Sequence, residues 1–391
     1  MNTFLSEIDL VSQARFTLFT EQQLAPVVDS LVSREGNLAF FLQKMAKAGF
    51  LGLTVPKEYN GSSGPFLHAA LLIEALSVYD PGIGLTLAAH LTVIELLKHF
   101  GATAQQSKYL PLLASGEILG TFAYTENGAE SGFAGIQTTI KTTAEEKTIQ
   151  GQKQLVVNAR LAKLIIVPAV EPSANGQKSF GLWLADATSA HAIEVKENEP
   201  YIGLTSAYLD DLHFNKCPVG SQDKLGTSSE SDNDLDKSNA QCDKQFTFGI
   251  SVMRTLLAAA ACGLLEGALR QSANFARSNN KNGESVGKSQ AVQWRLADLN
   301  VSSSAGRLLT YRAAWSAEAD EPEFSKYAAI CKDFATRAAR MHSAEAGEIM
   351  GILSCNDSSS LAKSYRNAKM LEQYAGTHDE QLTLLSSKFG I

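Results

Sequence analysis

Few side chains in this sequence could do chemistry unaided, and they are widely spaced. Cys217, Cys242, Cys262, Cys331 and Cys355 stand far apart, with no CxxC pair and no histidine spacing suited to zinc. No metal site is expected, and an odd, scattered set of thiols reads as reduced intracellular cysteines rather than a disulfide framework. Glu130, in the turn-rich stretch TENGAESG, offers a carboxylate, and His378 offers an imidazole. Both are expected at the surface. Arg254 opens a long run of small and apolar residues, where a fixed positive charge needs either a bundle carboxylate or a ligand. Ser131 reads equally as a turn cap, and Tyr374 as core.

The elements that must position these groups follow from periodicity. From Gln13 to Gly116 apolar residues recur at three and four, as in FLHAALLIEALSVYD and LTLAAHLTVIELLKHFG, the latter closed by a glycine placed like a C-cap. Between Thr121 and Pro218 the runs TIQGQKQLVVNA, LIIVPAV, SFGLWLAD and AIEVKE are β-rich and divided by turn residues. They predict a small, mostly antiparallel β-domain. LGTSSESDNDLDKSNAQCDKQ is polar and aperiodic, which predicts a solvated loop. Helical patterns return from Phe246, and RTLLAAAACGLLEGALRQSANFA is small or apolar nearly all round, as in a helix buried inside a bundle. The resulting fold class is α+β, mainly α. Residues 1–120 form a helical domain, 121–226 a middle β-barrel, 227–245 a polar inserted loop and 246–391 a helical bundle.

A length of 391 residues with 45% hydrophobic composition calls for more than one core. A net charge of −7 without a basic cluster argues against a nucleic-acid binder. MNTFLSEIDLVSQARF lacks the pattern of a secretory signal, and LLAAAACGLLEGAL is too short for a membrane span. A cytoplasmic protein is expected. YAAICKDFATRAARMHSAEAG carries closely spaced small residues that would let a partner bundle approach, so an oligomer is expected too.

The motifs, in order, resemble the acyl-CoA dehydrogenase family from about Leu42 to Gly376. GFLGLTVPKEYNGSSG resembles its opening segment, and FGATAQQSKYLPLLASGEILGTFAYTENGAESGFAGI its central signature. IQGQKQLVVNA, FGISVMRTLLAAAACGLLEGALRQSANFA, QAVQWRLADL and RNAKMLEQYAGT complete the series. The resemblance implies an amino-terminal helical domain, a middle β-barrel and a carboxy-terminal four-helix bundle. It also implies a homodimer or homotetramer that binds FAD, part of whose site comes from a neighbouring subunit. An acyl-CoA would lie between barrel and bundle, losing an α-proton to a base and a β-hydride to the flavin.

Several positions depart from the family pattern. Its catalytic glutamate in Y-E-G-T is replaced by Ala375, which cannot accept a proton, and the other family position for that base holds Met253. The indole near the flavin is replaced by Leu155 and the hydroxyl that faces its N5 by Val157. The phosphate-binding arginine is replaced by Asn279, and a glycine of the adenine approach by Ile352. Thr125 and Gln290 stay in register. From these departures we expect no catalytic residue and no cofactor, FAD being the alternative. Ser131, Ser251, Arg254, Tyr374 and Gly376 are expected to keep an acyl-thioester site. The sequence thus reads as an acyl-CoA-binding protein on a dehydrogenase scaffold, with an FAD-dependent acyl-CoA dehydrogenase as the alternative.

Overall fold

The computed structural model describes residues 5–127, 135–143, 146–172, 178–187, 192–226, 235–281 and 284–387. The first part is helical: α1 (Glu7–Phe19), α2 (Val28–Val32), α3 (Leu38–Lys47), α4 (Phe66–Ser77), α5 (Pro81–Phe100) and α6 (Thr103–Ser115). Local chemistry sets their ends. Ser6 and Asp9 form a reciprocal capping box on α1, Asp80 caps α5 with Pro81 at its first position, and Gly116 ends α6 in the left-handed region at φ 72°. Nearly every residue of α4 and α5 is buried, as expected of helices that are apolar all round.

Seven strands follow: β1 (Leu119–Phe122), β2 (Thr139–Thr142), β3 (Lys147–Val156), β4 (Ala162–Pro172), β5 (Lys178–Asp186), β6 (Ile193–Lys196) and β7 (Asp210–Val219). They form a sheet of order β1-β4-β2-β3-β7-β6, with β5 paired to β4. β1 and β2 run parallel to β4, and the other pairings are antiparallel. Alternation along β4 and β5 gives the sheet two buried faces. Leu164, Ile166, Leu182 and Leu184 join the core shared with the helices, whereas Ile165, Val167, Trp183 and Ala185 fill the interior of the sheet domain.

The remainder is α7 (Leu235–Ser278), the short hairpin β8 (Asn280–Lys281) and β9 (Glu284–Ser285), then α8 (Gln290–Glu318), α9 (Phe324–Met350), α10 (Ser360–Gln373) and α11 (His378–Ser386). The polar loop expected over 227–245 is shorter than its composition suggests. Residues 227–234 lie outside the described part, but α7 already begins at Leu235. The reason is tertiary. Asn239 accepts from Phe180 N–H at 2.8 Å and donates to the Lys178 carbonyl, Cys242 is buried, and Gln245 donates to the Leu225 carbonyl. These contacts with the sheet domain stabilise a turn sequence as helix. α5 and α7 are long and apolar enough to cross a membrane by composition alone, yet both are mostly buried within the fold.

The small residues of α9 do not form an outer face. Ala328, Ala329, Cys331, Ala335, Ala338 and Ala339 are buried within the bundle. The apolar surface lies elsewhere, with Phe334 and Met341 exposed on α9 and Trp294, Val301, Leu308 and Trp315 exposed on α8. Those four α8 residues recur every seven positions, so they form one stripe along the helix.

Candidate functional site

The loop between α10 and α11 lies against α7, α9 and the sheet domain, and it is held almost entirely by its carbonyls. Tyr374 caps α10 and donates its N–H to Met370. Ala375 then turns at φ 56° and Gly376 at φ 102°, a left-handed pair that costs a non-glycine residue roughly 1 kcal/mol or more. Surrounding donors hold this turn in place. Arg254 of α7 donates Nε–H to the Ala375 carbonyl at 3.0 Å. Lys332 of α9 donates to the Glu372 carbonyl at 2.7 Å and also to that of Gly376, while Gln381 of α11 donates to the Ala375 and Gly376 carbonyls. A Cβ at Gly376 would meet Gln381, Glu380 and Arg254 at 2.7–2.9 Å, so this position requires glycine for space as well as for φ. Thr377 opens α11 with a capping box to Glu380.

Tyr374 joins this loop to the sheet domain by donating its hydroxyl to the Leu155 carbonyl at 3.2 Å. Leu155 itself sits at φ 54°, with its N–H on Asp211. The ring of Tyr124, just past β1, lies 6.2 Å from Tyr374, 5.2 Å from Phe122 and 6.4 Å from Phe246 of α7. Its hydroxyl is buried beside that of Tyr374.

Burial governs the electrostatics of this region. It pushes the Tyr374 phenol above the ordinary tyrosine range and the Tyr124 phenol well above it. Burial, helped by repulsion from Arg254, pulls Lys332 down to about 8. Behind the signature loop, burial likewise pulls Lys153 down to about 8, opposed by Glu126 at 2.5 Å. Glu126 in turn accepts from Gln137 N–H and from the N–H and hydroxyl of Thr138.

The structure therefore brings Arg254, Tyr374, Ala375 and Gly376 together at the junction of bundle and sheet domain. Ser251 is buried on the same helix, with its hydroxyl donated to the Thr247 carbonyl. Ser131 and Glu130 lie outside the described residues. His378, half-buried, pairs with Asp333 at 2.6 Å, which ties α11 to α9. Lys332 and Tyr124 escaped the sequence reading. Lys332 had a signal in its position among apolar neighbours in AAICKDFA, whereas Tyr124 looks like any aromatic strand residue. Among the described residues no His, Cys, Asp and Glu grouping could hold a metal. A cavity of about 700 Å³ lies away from this junction, beneath α1, where Arg307 ties Glu74 of α4 to Glu266 of α7.

The positions weighed for a flavin behave differently from one another. Asn279 folds its amide back onto the Phe275 carbonyl of its own helix at 3.0 Å, and Ile352 is 83% exposed just past α9. Val157 is buried, and its carbonyl accepts from Thr121 at 2.6 Å. Neither Asn279 nor Val157 offers a side-chain donor to a phosphate or ring nitrogen. Thr125, half-buried, and Gln290, exposed, are the polar side chains that stay in register with the family pattern.

Comparison with known proteins covers almost the whole chain. The "Acyl-CoA dehydrogenase, N-terminal domain" family matches residues 10–117, the middle domain 121–217 and the C-terminal domain 245–389. A probable acyl-CoA dehydrogenase of Bacillus subtilis, YngJ, is 27% identical over 370 residues, 94% of either chain. The solved butyryl-CoA dehydrogenase of Megasphaera elsdenii superposes with a TM-score of 0.91 over all of both chains, at 26% identity. A solved FAD-dependent dehydrogenase shares the fold at a TM-score of 0.85, with 22% identity over both full chains. The match of all three domains to the acyl-CoA dehydrogenase family, and the likeness to butyryl-CoA dehydrogenase, overturn the expectation, drawn from Leu155, Val157, Asn279 and Ile352, that no cofactor binds. The physical reason is that a dinucleotide spreads over many contacts, backbone groups among them, which side-chain replacements do not remove. Replacing a few side chains in one chain weakens such a site without abolishing it.

Proposed function

We propose, since this chain belongs to the acyl-CoA dehydrogenase family, that it is an FAD-dependent oxidoreductase acting on the CH–CH bond beside an acyl thioester. The observation that carries this reading is the Tyr374–Gly376 loop. Its backbone is clamped by Arg254 at the junction of bundle and sheet domain, within a chain that aligns with these enzymes from end to end. FAD supplies the acceptor for a hydride, and Thr125 and Gln290 are the side chains available to hold it. Arg254, Tyr374 and Gly376 shape the thioester side, joined by Ser131 and by Ser251, whose hydroxyl oxygen can still accept. The five free thiols, four of them buried, support a reducing compartment such as the cytoplasm.

The α-proton is the weak point of the chemistry. Ala375 cannot remove it, and losing a general base typically slows a reaction by about 10²–10⁴-fold. Protein saturated with FAD and mixed with butyryl-CoA should therefore bleach its flavin absorbance slowly. Ala375→Glu, which restores a carboxylate in this enclosed turn, should speed bleaching by about 10²-fold or more. If neither protein bleaches while both demonstrably hold FAD, the oxidoreductase reading is wrong.

A further inference from the structure

We infer that a second cavity, beside the first turns of α10, binds a small organic phosphate. The inference stands apart from the oxidoreductase reading and does not depend on it. The cavity measures about 500 Å³, the size of a small-molecule site, and lies between α2, the turn from α4 to α5, residues 202–205, α7 and α10. Arg270 and Gln271 line it from α7, and Lys363, Arg366 and Asn367 from α10. Lys363 precedes Tyr374 by eleven positions on α10, so the cavity stands roughly 16 Å from the thioester junction along that helix.

The hydrogen bonds already made around the cavity leave donors over. Gln271 accepts from the Ser360 hydroxyl through its amide oxygen, and Asn367 accepts from Leu204 N–H at 2.8 Å, so each keeps an uncommitted NH2 group. Arg270 commits only Nε, to Glu266 at 2.7 Å, and Glu266 is shared with Arg307. The two cations of α10 are loosely held. Lys363 pairs with Asp29 at 3.2 Å and Arg366 with Asp357 at 2.8 Å, but these carboxylates are 89% and 95% exposed. Water screens such pairs, so a phosphate with several oxygens competes well for the same cations. Of the two carboxylates that line the cavity, Asp29 is this exposed partner and Asp80 is buried. Asp80 Oδ1 already accepts from Ile83 N–H and the Ser206 hydroxyl, and burial raises its pKa, which weakens its charge. Three cations and two amide donors thus face few free acceptors, the chemistry that holds a phosphate. Val32, Pro81, Ile202 and Leu264 add apolar lining, which suits the organic part of an ester.

The test is calorimetry on the full chain with phenyl phosphate and inorganic phosphate as probes. Phenyl phosphate should occupy one site and bind about 3-fold or more tightly than inorganic phosphate, because its ring meets the apolar lining. Gln271→Glu and Asn367→Asp each retain the accepting oxygen and replace the NH2 group by a charged oxygen. Each should weaken phenyl phosphate about tenfold or more, with little change in the melting temperature of the unliganded protein. Lys141→Gln makes the same change of charge on exposed β2 of the sheet domain and should leave the affinity unaltered. FAD retention and butyryl-CoA binding should be the same in the two cavity variants as in the wild type. A parallel loss of either would place the anion in the thioester or flavin site and overturn the inference. So would an equal effect of Lys141→Gln, unchanged affinity in both cavity variants, inorganic phosphate binding as tightly as the ester, or no phenyl phosphate binding at millimolar concentration.

Discussion

Arg254 and Ala375, 121 positions apart, are joined by a 3.0 Å hydrogen bond from the guanidinium Nε to the backbone carbonyl. The charged side chain is therefore a support for main chain, and the support persists although residue 375 has no functional side chain. Removing a charged donor from a buried carbonyl costs about 1.5–3 kcal/mol. Arg254→Met should lower the urea midpoint accordingly and weaken stabilisation by butyryl-CoA. Arg254→Lys should recover only part of the loss, because an ammonium cannot reproduce the guanidinium geometry. Full recovery with lysine would show that charge alone matters.

Lys332 gives a pH signature. Its folded pKa lies near 8, below the ordinary lysine value, so the folded state binds fewer protons than the unfolded one between about pH 8 and 10.4. Stability contributed by this residue is therefore smallest below pH 8 and grows as pH rises through that window. The stability difference between wild type and Lys332→Met should shift in favour of the wild type from pH 7.5 to pH 10, read from urea midpoints. A shift in the opposite direction would contradict the burial of an ammonium at this site.

The α8 stripe of Trp294, Val301, Leu308 and Trp315 leaves large apolar side chains in water, between 40% and 66% exposed. An association that covers it is the expected state. Light scattering should report a dimer or larger species at micromolar concentration. Leu308→Glu with Trp315→Lys should shift it towards monomer with little change in helical circular dichroism.

Asn279, the residue that the family resemblance sets at the phosphate-binding arginine, has its own amide folded back on its helix. FAD should accordingly be retained loosely, lost on prolonged gel filtration and regained on addition. Asn279→Arg should tighten FAD about tenfold or more by adding a charge-assisted hydrogen bond, measured by quenching of flavin fluorescence. No change would place the phosphates elsewhere.

Asn239 bridges α7 and β5, accepting from Phe180 N–H and donating to the Lys178 carbonyl. Asn239→Ala should cost about 1 kcal/mol, although its sequence context reads as a dispensable loop. An unchanged melting curve would show that the first turns of α7 fray.

Sequence periodicity was enough to order the three parts of the chain, because α4, α5 and α7 are apolar all round and β4 alternates between two cores. It failed at Leu235–Gln245, where three contacts with the sheet domain outweigh a solvated composition. Motif spacing singled out Arg254, Tyr374 and Gly376, which the fold brings together, but could not show that Arg254 and Lys332 bind backbone carbonyls. Nor could it reveal Tyr124, whose ring packs against that of Tyr374 from 250 positions away. The inference from lost side chains to a lost cofactor failed for a related reason. Side-chain identity is visible in a sequence, whereas backbone contacts and a second subunit's contribution are not.

α7 runs unbroken for 44 residues, about 66 Å at 1.5 Å per residue. Its first turns are fastened to β5, its middle carries Arg254, and its far end passes through the bundle. A rod anchored at both ends resists bending, so sheet domain and bundle move together and cannot act as two jaws. Ligand entry must then depend on small local displacements near Tyr124 and Tyr374. Hydrogen exchange should accordingly find the central turns of α7 among the slowest amides, with the Tyr374–Thr377 turn opening independently of them.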